Sequence, residues 1–224
     1  MPSRTTEPPA YDDVADAYSG ALDPDGTGLR DPALEELVGD IAGQEVLSLA
    51  CGQGQDARLL ASLGATVTGV DVSEGMLDHA RRHETSAPRG ITYVHGDAHD
   101  LSAFADASFD GVTCHMALMD IPDLGATIRS AARVLRPGGW FVFSIVHPCY
   151  RGHVELIDDY LADHQYAKKA PVEWLPPSAR HRPIGAYVND LAAAGLRPVR
   201  MIEADMNRPS GGDVPQILYL RSVL

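Results

Sequence analysis

The feature that most constrains this chain is a regular alternation of short apolar segments and amphipathic segments. Five apolar segments have the length of a buried strand, and they cover residues 45–50, 65–70, 91–94, 109–114 and 140–146. The segments between them place apolar residues at helical spacing, and turn signals such as Gly64 and Pro137-Gly138-Gly139 separate the two types. Strands that alternate with helices form a parallel sheet covered by helices on both faces. The sequence therefore predicts an α/β fold.

The end of the chain follows a different pattern. Residues 181–194 have the spacing of an amphipathic helix, which Gly195 would end. Two apolar segments follow, at 198–203 and 217–222, and the short polar loop between them predicts an antiparallel pair. The sheet is therefore expected to have seven strands and to be mostly parallel, with an antiparallel last strand.

Two segments lack a regular pattern. Residues 1–10 contain three prolines and few apolar side chains, and we expect a disordered leader before a single domain at 11–224. Residues 148–180 are rich in Tyr, Pro and charge, and they follow the carboxyl end of the fifth strand. Irregular segments of this length usually serve a function. We interpret residues 148–180 as a lid insertion.

Composition excludes several classes of protein. The formal net charge of −13 disfavours a nucleic-acid partner, because an acidic surface repels polyphosphate. No apolar run is long enough to cross a bilayer, and the first residues do not resemble a secretory signal, so we expect a cytoplasmic protein without a membrane partner. The three cysteines are far apart and form no CxxC pair, and no metal site is expected.

A glycine-containing loop follows the first predicted strand. Small residues at Ala50, Gly52 and Gly54 allow a ligand to approach the backbone closely. Asp71 ends the second predicted strand, where a carboxylate can accept hydrogen bonds from both hydroxyls of a ribose. The glycines could also serve only to shape a tight strand-to-helix turn. In addition, residues 52–57 fit the pattern G-x-G-x-x-A, which is compatible with a dinucleotide such as NAD.

Five motifs in order give the strongest signal. They are VLSLACGQG at 46–54, GVDVSEGML at 69–77, GDAHDL at 96–101, FDGVTCHMALMDIPD at 109–123 and LRPGGWFVFS at 135–144. With these motifs the chain resembles the class I S-adenosylmethionine-dependent methyltransferases, in particular the small-molecule group that includes the ubiquinone/menaquinone-type enzymes. The resemblance implies a Rossmann-like fold, S-adenosylmethionine as the cofactor, and methyl transfer to an oxygen or nitrogen of a small-molecule acceptor. S-adenosylhomocysteine would be the product.

The resemblance also implies which residues contact the cofactor. They are Tyr11, Tyr18, Arg30, Ala50, Gly52, Gln53, Gly54, Asp71, Val72, Met76, Asp97, Ala98 and Cys114. The loop would lie against the cofactor through its backbone, and Asp71 would bind the ribose. The adenine would pack on Val72 and Met76, with its edge at Asp97 and Ala98. The N-terminal residues would close over the methionine end, where Arg30 could bind the carboxylate with its guanidinium.

Two positions depart from the family pattern. The family usually has an acidic residue where this chain has Ser48, and that residue helps to organise the methionine end of the cofactor. It usually has glycine where this chain has Ala50. The backbone carbonyls near Ala50 and Cys114 could then receive the cofactor's amino group.

Three histidines are candidates for a general base. His147 follows the fifth predicted strand and is the first choice, since acceptors would enter at that edge of the sheet. His181 is expected to open the last helix, and His115 follows the fourth strand. Imidazole suits proton transfer at neutral pH. Tyr150, Tyr160, Tyr166 and Trp174 could form an aromatic acceptor pocket or could simply pack within the lid.

Two other functions remain open at this level. The change at Ser48 allows a non-catalytic S-adenosylmethionine-binding subunit or regulator, and the glycine pattern allows an NAD-dependent oxidoreductase. Acceptor identity and oligomeric state have no signature in the sequence.

Overall fold

The structure is a computed structural model that describes residues 11–23, 29–151, 155–156, 159–167, 175–176, 178–205 and 215–224. The expected leader at 1–10 lies outside the described residues. The helices are α1 (Ala15–Leu22), α2 (Pro32–Val38), α3 (Gln55–Ser62), α4 (Glu74–Ser86), α5 (Leu124–Val134) and α6 (Ile184–Ala193). In the described part of the chain, no helix has the length and apolar character needed to cross a membrane.

Seven strands form the central sheet. They are β1 (Glu45–Leu49), β2 (Thr66–Asp71), β3 (Thr92–His95), β4 (Phe109–His115), β5 (Leu135–Val146), β10 (Arg197–Ala204) and β11 (Ile217–Val223). The spatial order is β10-β11-β5-β4-β1-β2-β3, and β1 to β5 pair in parallel. Strand β11 is antiparallel to both β5 and β10. The predicted seven-stranded, mostly parallel sheet with an antiparallel last strand is confirmed.

The strand order places one crevice at the centre of the sheet. The chain leaves β1 toward β2 on one side, whereas β4 lies on the other side of β1. Ligands of open parallel sheets bind outside the carboxyl ends of the strands at such a reversal. The loop after β1 and the residues that end β2 and β4 therefore lie where a ligand is expected.

Two helices near this crevice begin at residues whose side chains cap the helix. Asp31 accepts a hydrogen bond from the Leu34 N–H at 3.0 Å, and Pro32 occupies the first turn of α2. Ser73 accepts from the Met76 N–H at 3.1 Å and begins α4. Both residues are of the types that favour an N-cap.

The pleat of the strands separates two hydrophobic cores. On one face, Leu47, Cys114 and Phe143 pack with residues of α5 and α6. On the other face, Val46 and Val142 pack with residues of α2 and α3. Because alternate residues of a strand point to opposite faces, Ser48, Thr113, His115 and Ser144 share the face of α2 and α3 near the carboxyl ends of their strands.

Strand β5 begins earlier than the sequence indicates. The predicted break at 137–139 lies within the strand, which starts at Leu135. Phe109 pairs with Leu135 and Gly111 pairs with Trp140, so β5 carries three more residues than β4 between these pairs. Gly138 has a φ of +80° and makes this irregularity possible.

The expected helix at 181–194 is wrong at its start. His181 is the last residue of β9 (Ser178–His181), and α6 begins only at Ile184. Proline disfavours helical backbone at the residue before it. Pro183 therefore keeps Arg182 out of the helix, and His181 does not open α6.

The segment expected to be an irregular lid contains strands. Strand β6 (Tyr150–Arg151) pairs antiparallel with β7 (Glu155–Leu156), and β8 (His164–Ala167) pairs antiparallel with β9. Trp174, one of the four aromatic residues considered for an acceptor pocket, lies outside the described residues.

Candidate active site

The loop after β1 has the backbone conformation that a close-fitting ligand requires. Ala50, Gly52 and Gly54 have φ values of +53°, +52° and +80°. The Cys51 N–H donates to the Val70 carbonyl at 3.0 Å, and the Gly54 N–H donates to the Cys51 carbonyl at 2.8 Å. These bonds anchor the loop between β2 and the start of α3. Alanine in place of glycine at position 50 retains the left-handed conformation.

Gly54 also makes room for Tyr93 of β3. A Cβ atom at Gly54 would lie 2.2 Å from Tyr93 Oη, and one at Gly69 would lie 2.8 Å from Tyr93 Cδ1. Tyr93 Oη is buried and has no hydrogen-bond partner among the described residues. The glycine at position 54 is thus required by packing as well as by its backbone conformation.

Gly54→Ala is expected to destabilise the protein by about 1–3 kcal/mol more than Gly90→Ala. Gly90 is the matched control, because its φ of +79° is nearly the same and a Cβ there would meet nothing within 4 Å. Denaturant unfolding of both variants measures the difference. Equal losses would show that the Tyr93 ring moves aside without cost.

Asp71 joins the loop to the start of α4. Its carboxylate accepts from the Gly52 N–H at 2.7 Å and from the Ser73 N–H at 2.8 Å. The side chain is buried at the carboxyl end of β2. Each carboxylate oxygen has two lone pairs, so these bonds leave capacity for the two hydroxyls of a ribose.

Burial raises the pKa of the Asp71 carboxyl above its ordinary value, against the hydrogen bonds from Ser73 and Gly52, which lower it. The folded protein therefore keeps this proton to a higher pH than the unfolded chain does. Stability should fall as pH rises from the ordinary aspartate value through the raised one. Asp71→Asn lacks this titration, so its unfolding free energy should improve relative to the parent across that window. Denaturant unfolding of both proteins from acid to neutral pH measures the difference in unfolding free energy. A difference that does not change with pH would contradict the prediction.

The expected adenine contacts lie next to this carboxylate. Met76 is buried, and its Cε lies 3.1 Å from the position that a Cβ at Gly52 would occupy. Val72 is 46% exposed, which is unusual for valine and leaves an apolar surface available. Asp97 is half exposed and accepts from the His99 N–H at 2.9 Å, while Ala98 packs against the core. These positions are compatible with the adenine site that the resemblance implies.

Gln53 indicates that the loop fits a polar ligand. The residue is 2% exposed, and neither the oxygen nor the nitrogen of its side-chain amide has a partner among the described residues. Buried polar groups in proteins are nearly always hydrogen-bonded. The backbone carbonyl of Gln53 accepts a hydrogen bond from Arg58 Nη1 at 2.7 Å, and Arg58 also forms a buried ion pair with Asp23. No motif in the sequence points to Arg58, because both of its partners are fixed only by the fold.

The N-terminal segment reaches the same crevice. The Tyr11 hydroxyl donates to Asp120 Oδ2 at 2.7 Å, and the rings of Tyr11 and Tyr18 meet edge to face at 5.7 Å. Burial raises the pKa of Tyr18 to about 12, with further contributions from the carboxylates of Asp120, Asp71 and Asp56. Arg30 differs: it is exposed, and within the described ranges it makes no hydrogen bond or ion pair.

A buried carboxylate lies under the loop. Asp56, in the first turn of α3, accepts from the Ser48 hydroxyl at 2.7 Å and from the Thr113 hydroxyl at 3.1 Å. Ser48 and Thr113 are direct neighbours on β1 and β4. Cys114, the next residue on β4, is buried on the opposite face, and burial raises the pKa of its thiol. Asp56 is not among the residues predicted from the sequence, although its place two residues after Gly54 is a signal for it.

His115 belongs to a polar row across three strands. His115, Ser144 and Tyr219 are paired neighbours on β4, β5 and β11. His115 Nδ1 lies 2.8 Å from Ser144 Oγ, and its Nε2 lies 3.9 Å from Asp31 Oδ2. The Tyr219 hydroxyl donates to the same Asp31 oxygen at 2.9 Å. Asp31 therefore caps α2 and also faces the imidazole.

The other two candidate histidines, His147 and His181, are buried and contact polar groups of the protein. His147 is buried; its Nε2 lies 2.9 Å from Glu203 Oε1, and its Nδ1 accepts from the Cys149 N–H at 3.2 Å. His181 is buried in β9, and its Nε2 lies 2.8 Å from the Tyr160 carbonyl oxygen. The structure does not bring the three histidines together in one cluster.

Arg182 is a second basic residue that the sequence analysis missed. It is buried and donates to the carbonyls of Leu118, Ile121 and Pro122 at 2.7–3.0 Å. It thereby fixes the loop between β4 and α5, which also carries Asp120. Within the part of the chain that the structure describes, no group of three or more His, Cys, Asp or Glu side chains could hold a metal ion.

Comparison with known proteins identifies this arrangement. A family model described as a methyltransferase domain matches residues 47–143. A ubiquinone biosynthesis O-methyltransferase of Thiobacillus denitrificans is 38% identical over 107 residues, covering 48% of this chain and 46% of the relative. The enzyme of the same name from Chromobacterium violaceum is 31% identical over 170 residues, covering 72% of each chain. Otherwise the chain spans about half the length of the curated relatives it matches.

A solved structure extends the similarity to most of the chain. The S-adenosylmethionine-dependent methyltransferase of Mesorhizobium loti is 30% identical, with a TM-score of 0.73, over 86% of this chain and 96% of that one. These matches confirm the resemblance that the five motifs indicate and support it over the NAD-dependent alternative. The chain belongs to the S-adenosylmethionine-dependent methyltransferases.

Proposed function

We propose that this chain transfers the methyl group of S-adenosylmethionine to a hydroxyl oxygen of a small-molecule acceptor and releases S-adenosylhomocysteine. The observation that carries the proposal is the His115 imidazole at the carboxyl end of β4, held by Ser144 and faced by the Asp31 carboxylate. It lies on the same face of the sheet as Ser48 and Thr113, next to the loop that fits the cofactor.

When bound, S-adenosylmethionine supplies a methyl group already activated by the positive charge on sulfur. The protein must then hold the acceptor in line with that methyl, and correct positioning alone can supply about 7–11 kcal/mol of the barrier. The loop at 50–54 and the Asp71 carboxylate would hold the adenosine end. Tyr11 and Tyr18 would cover the crevice from the N-terminal side.

His115 would take the proton from the acceptor hydroxyl at Nε2. Ser144 Oγ lies 2.8 Å from Nδ1 and can accept a hydrogen bond from an Nδ1–H, and in that tautomer the lone pair is on Nε2. Once Nε2 is protonated, the Asp31 carboxylate at 3.9 Å stabilises the imidazolium. In His147 both ring nitrogens already have partners in the protein, so we place the base at His115.

Oxygen is the favoured acceptor atom for a chemical reason. A hydroxyl is a weak nucleophile until its proton is removed, and a positioned base contributes about 10²–10⁴-fold. A neutral amine needs no base before it attacks. The relatives from Thiobacillus denitrificans and Chromobacterium violaceum are named O-methyltransferases, in agreement with this proposal.

The remaining features fit a small-molecule enzyme. We propose that residues 11–224 act as one domain and that residues 148–180 form its lid over the acceptor. The charge of −13 disfavours a nucleic acid as substrate, and we propose that the acceptor is a free metabolite and that the protein acts in the cytoplasm.

Two measurements test the proposal. Calorimetric titration should show binding of S-adenosylmethionine and S-adenosylhomocysteine but not of NAD. Transfer of radiolabelled methyl should then be found with hydroxylated aromatic compounds and not with their methyl ethers, which lack the proton. Cofactor binding without transfer to any acceptor in an extract would favour the non-catalytic subunit. Transfer to amines alone would contradict the choice of oxygen.

A further inference from the structure

Asp56 is a buried carboxylate without a positive partner. Its residue is 4% exposed, and both donors to its carboxylate are neutral hydroxyls that reach the same oxygen, Oδ2. Within the described ranges no Lys, Arg or His forms an ion pair with it, and the nearby Arg58 is paired with Asp23 instead. An ionised carboxylate buried in this way is costly unless a positive charge accompanies it.

The position of Asp56 shows where that positive charge would come from. Ser48 lies two residues before Ala50, and Asp56 lies two residues after Gly54, so the carboxylate lies beside the loop between its two ends. Burial raises the pKa of the Cys51 and Cys114 thiols, and the negative charge of Asp56 adds to both shifts. The amino-acid end of S-adenosylmethionine carries an ammonium group, and its side chain joins that end to the sulfonium.

Ser48 and Asp56 together provide the carboxylate that a single acidic residue provides in the family pattern. The acidic residue expected at position 48 is replaced by a serine, and that serine donates its hydroxyl proton to a carboxylate on the facing helix. Thr113 donates from the neighbouring strand. Both hydroxyls lie on fully buried residues, and they hold the carboxylate in one place beneath the loop.

We infer that Asp56 is a positioning residue whose carboxylate, fixed by Ser48 and Thr113, attracts the cationic methionine end of the cofactor. Its carboxylate has moved from strand β1 to helix α3 relative to the family pattern. The inference rests on S-adenosylmethionine as the cofactor of the proposed function. It assigns different ends of the cofactor to two carboxylates: Asp71 takes the ribose, and Asp56 takes the amino-acid end.

The test compares two ligands by calorimetric titration. S-adenosylhomocysteine carries the amino-acid end, and 5′-methylthioadenosine lacks it but keeps the adenosine. Asp56→Asn keeps the size of the side chain and removes the charge. We expect it to weaken S-adenosylhomocysteine binding roughly ten- to a hundredfold and to leave 5′-methylthioadenosine within about twofold of the parent. The control Asp71→Asn should weaken both ligands.

A double variant returns the carboxylate to the strand. Ser48→Asp combined with Asp56→Ser exchanges the two side chains, and it should recover S-adenosylhomocysteine affinity to within about fivefold of the parent. Equal losses for both ligands in Asp56→Asn, or no loss for either, would overturn the inference. If the parent itself binds neither ligand, the proposed function fails instead, so the two failures are distinguishable.

Discussion

His115→Ala is expected to lower turnover by about 10²–10⁴-fold on a hydroxyl acceptor, with little change in S-adenosylhomocysteine affinity. The variant removes the group that we propose takes the acceptor proton, whereas the loop and Asp71 remain intact. Steady-state transfer of radiolabelled methyl measures the first quantity, and calorimetric titration measures the second.

His115→Gln separates proton transfer from positioning. Glutamine can retain a hydrogen bond to Ser144 but cannot act as a base at neutral pH, so its turnover should fall nearly as far. The control is His83→Ala on α4, which lies away from the polar row and should keep parental turnover. If His115→Gln transfers methyl at the parental rate, His115 is not the base, and His147 becomes the histidine to replace.

Asp71→Ala is expected to weaken S-adenosylhomocysteine binding by roughly 10²–10⁴-fold. Each hydrogen bond from a ribose hydroxyl to the carboxylate should contribute about 1.5–3 kcal/mol, and two are lost. Calorimetric titration measures the affinity, and thermal melting must accompany it, because Asp71 also accepts from two backbone N–H groups.

The matched control for Asp71 is Asp78→Ala. Asp78 is an exposed aspartate on α4, so the variant removes the same charge at a distance from the loop. Asp78→Ala should bind S-adenosylhomocysteine with the affinity of the parent. Binding by Asp71→Ala within about twofold of the parent would show that the ribose does not lie on this carboxylate.

The sequence predicts well those parts of the molecule that depend on local pattern. Buried strands followed by turns locate β1 and β2, and both the glycine loop and Asp71 follow directly from their ends. The caps at Asp31 and Ser73 are equally local, since a side chain bonds to a backbone N–H three residues ahead. The structure confirms these elements.

Contacts between distant segments are harder to predict. The row of His115, Ser144 and Tyr219 depends on the register of three strands, and the three additional residues in β5 shift that register. Asp56 meets Thr113 across 57 positions of sequence. Helical spacing also misleads at His181, because the pattern continues through Pro183 although the backbone does not.

The alternation of side chains along β4 limits which insertions and deletions this strand can tolerate. Thr113 and His115 point to the same face because they are two residues apart, and Cys114 between them points to the opposite core. An insertion or deletion of one residue in β4 would exchange the faces, moving the histidine into a hydrocarbon core and a core residue into the crevice. Only changes of two residues preserve the alternation. Homologues and engineered chimaeras should therefore vary β4 by substitution or by two residues at a time, and carry single-residue changes of length in the loops on either side of it.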